Sequence, residues 1–155
     1  MTPVPPFQDF LEQQRAMVLR FLVAAVGPLD ADDCFQETFL AALRAYPTLR
    51  DGSRLDHWIL RIASRKAIDH HRRATRAPRP VEAIPEPNEP PAVGVDHEPL
   101  WKAIGELPPR QRLAVVHRYV LDRSYADVAE SMGGTEEAAR SNVHQAMRKL
   151  REMIG

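Results

Sequence analysis

Apolar residues recur at helical spacing through most of the chain and predict an all-α protein. In the first half, one stripe runs through residues 7–25, a second through residues 35–46, and a third starts at residue 55. Each stripe repeats every three or four residues, which is the pattern of one buried helix face. No segment alternates with a period of two for long enough to predict a strand.

The second stripe separates two chemically different helix faces. The predicted inner face comprises Phe35, Phe39, Ala42, Leu43 and Tyr46. The opposite face is acidic with one exposed leucine and comprises Asp32, Asp33, Gln36, Glu37 and Leu40. Taken alone, this second face is also compatible with ordinary solvation of a surface helix.

The C-terminal part of the chain has the pattern of two helices joined by a tight turn. Ser124 and Asp127 form a capping signal for the first helix, and Gly133 allows the positive φ that the turn requires. The second helix has an apolar face comprising Ala139, Val143, Ala146, Leu150 and Ile154. Its opposite face is polar and basic and comprises Glu137, Arg140, Ser141, His144 and Arg148. This pattern predicts either a helix-turn-helix that reads a major groove or a surface hairpin that only packs.

The distribution of proline and charge divides the chain into two modules. The 155 residues have a formal net charge of zero and suffice for two small domains. Segment 74–99 holds seven of the 14 prolines and five carboxylates against two arginines, so we expect it to be extended or disordered. We predict two small helical domains, over residues 7–73 and 100–155, joined by this linker. The linker is either a passive spacer or an acidic segment that becomes ordered only on a partner.

The sequence offers little support for other chemistry. The six histidines and the single Cys34 lie on different predicted elements without zinc-ligand spacing, so we predict no metal site. Phosphate-binding loops, dinucleotide motifs and nucleophile elbows are absent from the sequence, so we predict no cofactor and no enzymatic activity. We expect no membrane insertion and a cytoplasmic location, because the apolar runs are short and the start does not have the order of a signal peptide.

Two parts of the chain resemble the extracytoplasmic-function class of bacterial sigma factors. The part similar to region 2 of that family consists of DADDCFQETFLAAL and HWILRIASRKAIDHHRR. The part similar to region 4 consists of ELPPRQRLAVVHRYVLDRSYADVAESMGG and the helix after it. The resemblance implies a transcription initiation factor that binds core RNA polymerase and directs it to promoter DNA. It also implies an anti-sigma factor as a partner that covers the core-binding surfaces.

The resemblance assigns three groups of residues to binding surfaces. The surface for core RNA polymerase would comprise Asp32, Asp33, Gln36, Glu37 and Leu40. The surface for the −10 promoter element would comprise Arg50, Ser53, Arg54, His57, Arg61 and Arg65. The surface for the −35 element would comprise Thr135, Glu137, Arg140, Ser141, His144 and Arg148. Cationic and hydrogen-bonding side chains suit both DNA roles, because one surface must hold a separated strand and the other must read a groove.

Several roles stay open at the level of the sequence. Trp58 could pack in the core or stack on a base, and Glu136 and Glu137 could stabilise a helix N-terminus or include one acceptor for cytosine. Family members usually have an aliphatic residue at Gly134 and often an arginine at Asn142, so the −35 sequence is unreadable. Two alternative functions remain: a sigma-like protein that docks without supporting initiation, and an ordinary helix-turn-helix repressor.

Overall fold

The computed structural model describes residues 1–76 and 98–154, and these residues form helices and connecting loops with no strand. The helices of the first module are α1 (Phe7–Val26), α2 (Ala31–Ala45) and α3 (Leu55–Arg76). The helices of the second module are α4 (Glu98–Gly105), α5 (Pro109–Val115), α6 (Tyr125–Met132) and α7 (Glu136–Ile154). The linker prediction lies outside the described residues except at its two ends, which belong to α3 and α4. Within the described ranges, no helix combines the length and the apolar character that crossing a membrane requires.

The helix ends follow from local sequence. α1 ends where Gly27 adopts a φ of 92°, which side chains rarely tolerate. A short 3-10 turn that contains Pro47 follows α2, and a π-helical turn over Val116–Val120 continues α5. The Ser124 hydroxyl accepts a hydrogen bond from the backbone N–H of Asp127 at 3.1 Å, as the capping signal predicts. α6 then ends at a left-handed Gly133.

An aromatic cluster forms the centre of the first module. The ring of the fully buried Phe10 lies 5.2 Å from that of Tyr46 and 5.7 Å from that of Trp58. Trp58 is half-buried and packs against the core, which supports the first of the two roles considered for it. The cluster fixes α1, α2 and α3 relative to one another because each helix contributes a ring.

Two positions predicted to be buried are exposed. Leu43 is 49% exposed, because α2 buries the line comprising Ala31, Cys34, Thr38 and Ala42. A residue directly after this line is rotated by about 100° away from it. Ile154 is 50% exposed, since it lies at the end of α7 beyond the last buried turn. The rest of the predicted inner face of α7 is buried.

The two modules pack directly against each other. α3 contacts α6, and α1 contacts the π turn and α4, so the buried apolar residues of both modules form one cluster. We call this interface the seam: α1 and α3 form one side, and α5, the π turn and α6 form the other. The seam brings the predicted −10 face of α3 against the first helix of the predicted helix-turn-helix.

Candidate functional site

The acidic face of α2 is exposed, as the sequence predicts. Its exposed members are Asp32, Asp33, Gln36 and Leu40. Glu37 is less exposed because its carboxylate lies 3.2 Å from the guanidinium of Arg73, which links α2 to α3. Leu40 and Leu43 are 53% and 49% exposed, so the face carries two leucines three residues apart beside carboxylates. Such a surface suits protein docking, since charges steer the encounter and apolar side chains anchor it.

The N-terminal residues hold the loop that precedes α3. The Thr2 N–H donates to the Asp51 carboxylate at 3.1 Å, and the Gly52 N–H donates to the Thr2 carbonyl at 2.9 Å. The Ser53 hydroxyl donates to Asp51 at 2.8 Å, which is the main cause of the lowered pKa of Asp51. Of the two predicted −10 residues in this loop, Ser53 therefore supports the loop itself, and Arg50 is exposed.

Two predicted −10 residues at the start of α3 lie in the seam. The Nη2 atom of Arg54 is 3.3 Å from the Asp127 carboxylate and 3.5 Å from the Glu130 carboxylate. The His57 side chain is only 21% exposed, and its Nδ1 accepts an N–H from Arg123 at 2.8 Å. The acidic edge of α6, formed by Asp127 and Glu130, therefore contacts the basic face of α3.

The other two predicted −10 residues on α3 line a cleft along the same seam. Arg61 and Arg65 form one wall of this cleft, whose volume is about 280 Å³. Arg110 of α5 and Ser131 of α6 belong to the opposite wall. The concentration of guanidinium groups makes the cleft electropositive, which suits contact with a nucleic-acid backbone.

A buried polar centre around His117 lies behind this surface. His117 is fully buried in the π turn, and its Nδ1 accepts an N–H from Arg123 at 3.0 Å. Its Nε2 therefore carries the proton and donates to the Ser64 hydroxyl of α3 at 2.8 Å. The ring packs on Phe21 of α1, with the ring centroids 4.7 Å apart. Burial, reinforced by the charge of Arg123, lowers the pKa of His117 to about 3, so the imidazole is neutral near pH 7.

The seam also satisfies the C-terminal carbonyls of α1. The Nε of Arg112 donates to the Ala24 carbonyl at 2.8 Å, and the Nε2 of His71 donates to the Ala25 carbonyl at 2.8 Å. The last carbonyls of a helix have no partner within the helix, so these contacts remove a cost of burying that end. Burial lowers the pKa of Arg112 to about 10, which still leaves the side chain charged at neutral pH.

The seam gathers three residues that the sequence places far apart. His57, Asp127 and Glu130 each offer one potential ligand atom, and these atoms lie within 4.8 Å of one another. The guanidinium of Arg54 already contacts both carboxylates and supplies positive charge there. We therefore assign this cluster to ion pairing between the modules. The absence of a metal site stays a prediction.

The predicted reading face of α7 is exposed to solvent. The Thr135 hydroxyl accepts the Ala138 N–H at 3.0 Å and so caps the helix rather than only facing DNA. The exposed members of the face are Glu137, Arg140, Ser141, His144 and Arg148. Since α7 is packed through its opposite, apolar side, this face is free for a groove.

Arg140 is held in place on that face. Its guanidinium lies 4.8 Å from the ring centroid of Tyr125 and 3.2 Å from the Glu136 carboxylate, while 58% of its side chain stays exposed. The ion pair supports a structural role for Glu136, one of the two roles considered from the sequence. The role of Glu137 stays open.

Cys34 lies in the core next to the acidic face. Burial, with smaller contributions from Glu37 and Asp30, raises the pKa of its thiol to about 11. A thiol that stays protonated is a poor nucleophile and a poor metal ligand. Cys34 therefore acts as an apolar core residue.

Sequence reasoning missed the polar residues of the seam. His117 was considered only as an isolated histidine, and Ser64 and Arg123 were not considered as functional residues. The available signal was the position of His117 inside the apolar run AVVHRYV, because a buried imidazole requires a hydrogen-bond partner.

Comparison with known proteins supports the two-module interpretation. The family model for sigma-70 region 2 matches residues 10–77, and that for sigma-70 region 4 matches residues 97–150. The sigma factor SigD of Mycobacterium tuberculosis is 33% identical over 161 residues, which cover 95% of this chain and 76% of that protein. CarQ of Myxococcus xanthus, an RNA polymerase sigma factor, is 31% identical over 160 residues, which cover 96% and 89% of the two chains.

Two solved structures have the same fold. The sigma factor RpoE from Bartonella quintana, in complex with the anti-sigma factor NepR, matches with a TM-score of 0.76 and 22% identity over 96% of each chain. CnrH, in complex with the cytosolic domain of CnrY, matches with a TM-score of 0.69 and 20% identity over 96% of this chain and 86% of that one. At these identities the likeness concerns the fold alone.

A helical region 2 module, a region 4 helix-turn-helix and an exposed reading face define a sigma-70-type transcription factor. The chain belongs to the extracytoplasmic-function class of this family, as its full-length similarity to SigD and CarQ shows. It is a transcription initiation sigma factor, and members of the family are regulatory proteins rather than enzymes. The alternatives of a repressor and of a docking protein without initiation activity are not favoured, because both regions match in order.

Proposed function

We propose that this sigma factor uses three separate surfaces: the acidic face of α2 for core RNA polymerase, the loop and basic face of α3 for the −10 strand, and the exposed face of α7 for the −35 element. It acts in the cytoplasm as a non-enzymatic subunit. The observation that carries the proposal is the exposed α2 face, because a repressor that only binds DNA has no need of it.

The α2 face has the features of an anchored docking site. Leu40 and Leu43 together present two solvent-exposed leucines, and water released from them on docking would stabilise a complex. Asp32 and Asp33 lie in the first turn of α2, where the helix dipole favours carboxylates. These carboxylates would attract a basic surface of the polymerase and set its orientation.

The two DNA surfaces differ in the chemistry that they offer. On α3, arginines without a fixed base-reading geometry suit the phosphates of a separated strand. On α7, Arg140 is held by Tyr125 and Glu136, so it can present a planar donor pair to guanine with little loss of conformational entropy. The α3 face therefore contributes to promoter opening and the α7 face to sequence recognition.

We also propose that an anti-sigma factor regulates this chain, as in the two solved complexes of similar fold. An apolar groove of about 720 Å³ supports this proposal, because it lies where α1 meets the second module and can receive apolar side chains of a partner. Trp101, Tyr119, Met147 and Ile154 line the groove, with Arg20 and Arg151 also present. Co-purification of the chain with proteins from its source cells, compared with a Tyr119→Ser variant, tests this proposal. Equal capture by both would contradict the use of this groove.

Reconstituted transcription tests the main proposal. The chain, mixed with core RNA polymerase, should produce defined transcripts from genomic fragments that core polymerase alone does not produce. An Asp33→Lys, Glu37→Lys variant should lose core binding in a pull-down and lose these transcripts. The matched control is Asp9→Lys, Glu12→Lys, which makes the same charge change on α1, where both residues are exposed. If both variants bind core polymerase equally, the assignment of the α2 face is wrong.

A further inference from the structure

We propose that the acidic edge of α6, Asp127 and Glu130, substitutes for DNA phosphate within the free protein and masks the −10 surface of α3. This inference rests on the proposed role of the α3 face in binding the −10 strand. It adds an internal competitor for that surface, which the proposed function does not require.

The contacts of Arg54 carry the first step. One nitrogen of its guanidinium lies within 3.5 Å of carboxylate oxygens from both Asp127 and Glu130. A DNA phosphate would need the same charged donor and would carry the same kind of acceptor oxygens. Arg54 therefore cannot hold its present partners and a DNA phosphate at the same time.

His57 carries the second step. Its Nδ1 accepts a hydrogen bond from Arg123 and lies 3.6 Å from Asp127, so the second module surrounds the exposed side of the imidazole. Only 21% of the side chain is open to solvent. A DNA strand can reach His57 only after α6 has moved away from α3.

Buried contacts position the acidic edge against the basic face. The hydrogen bond between Ser64 and His117 and the contact of Arg112 with the Ala24 carbonyl join the modules at fixed points. These contacts set the placement of α6, whereas the exposed ion pairs contribute a smaller stabilisation that salt can screen. The closed arrangement is therefore specific in geometry and open to competition by polyanions.

The masking is unequal between the two DNA surfaces. The reading face of α7 stays exposed while Arg54 and His57 are covered. The free protein therefore presents its −35 surface but withholds part of its −10 surface. Strand binding would become available only when the modules separate.

Two measurements on the full chain test the proposal. The first is energy transfer between dyes on Arg44→Cys and Lys149→Cys in a Cys34→Ala background, which reports module separation. The second is affinity for a fluorescein-labelled, mixed-sequence single-stranded DNA of about 15 nucleotides, a length that spans a typical single-strand site. The test variant is Asp127→Asn, Glu130→Gln, and the matched control is Asp9→Asn, Glu12→Gln, which changes the net charge equally on α1.

The test variant should lower energy transfer and bind the oligonucleotide about fivefold more tightly than the control variant, as expected for the loss of two exposed ion pairs. Unchanged energy transfer, or equal affinity of the two variants, would overturn the masking proposal. An Arg61→Ala, Arg65→Ala variant separates this result from a failure of the proposed function. If that variant binds the oligonucleotide as well as the parent chain does, the −10 role of α3 is itself wrong.

Discussion

The buried His117 should make the protein sensitive to acid, and replacement by glutamine should remove that sensitivity. His117 has a pKa of about 3 in the folded protein, against 6.5 for an exposed histidine. Below pH 6.5 the unfolded chain therefore takes up a proton that the folded chain refuses. The free energy of unfolding falls as the pH falls toward 3, and above 6.5 this residue contributes no pH dependence.

The magnitude follows from the two pKa values. Lowering the pH from about 7 to about 5 should reduce the free energy of unfolding by about 2 kcal/mol through His117 alone, at about 1.4 kcal/mol per pH unit below 6.5. A His117→Gln variant keeps an amide that can donate to Ser64 and accept from Arg123, but it does not titrate. The variant may be less stable at pH 7, so the informative quantity is the change with pH.

Urea denaturation followed by circular dichroism at the two pH values measures this difference. Other groups that titrate in this range, including the partly buried His71, are common to both proteins and cancel in the comparison. The parent chain should lose about 2 kcal/mol more than the variant between the two pH values. Equal losses would show that His117 does not stay neutral in the folded protein and would refute the reasoning.

Four further outcomes follow from individual contacts. Phe39→Ala should destabilise the protein by about 3–5 kcal/mol in urea denaturation, whereas Leu40→Ala should change stability by less than about 0.5 kcal/mol and weaken core binding in a pull-down. Gly52→Ala should detach the N-terminal residues, because its methyl group would overlap their backbone, and amide hydrogen exchange at residue 52 should accelerate. Cys34 should react with a thiol reagent only on unfolding, and rapid reaction of the native protein would contradict its burial. Arg140→Ala should weaken −35 binding by about 1–3 kcal/mol in a footprinting titration, with unchanged core binding as its control.

Hydrophobic spacing determined the helices and most of their buried faces from the sequence alone. The capping residues Ser124 and Gly133 also fixed the turn between α6 and α7, because both act through bonds and dihedral angles within a few residues. The α2 and α7 faces could be predicted for the same reason, since a residue opposite a buried stripe is exposed unless another element covers it.

Tertiary structure decided which helix covers which face. The exposure of Leu43 and the burial of Cys34 depend on how α2 is rotated against its neighbours, and a one-residue shift in the buried line falls within the tolerance of any apolar stripe. The seam is a stronger case, because Ser64 and His117 are 53 positions apart and meet only when the modules dock. Periodicity within a helix contains no information about such a partner, so the covered −10 surface was visible only in the folded chain.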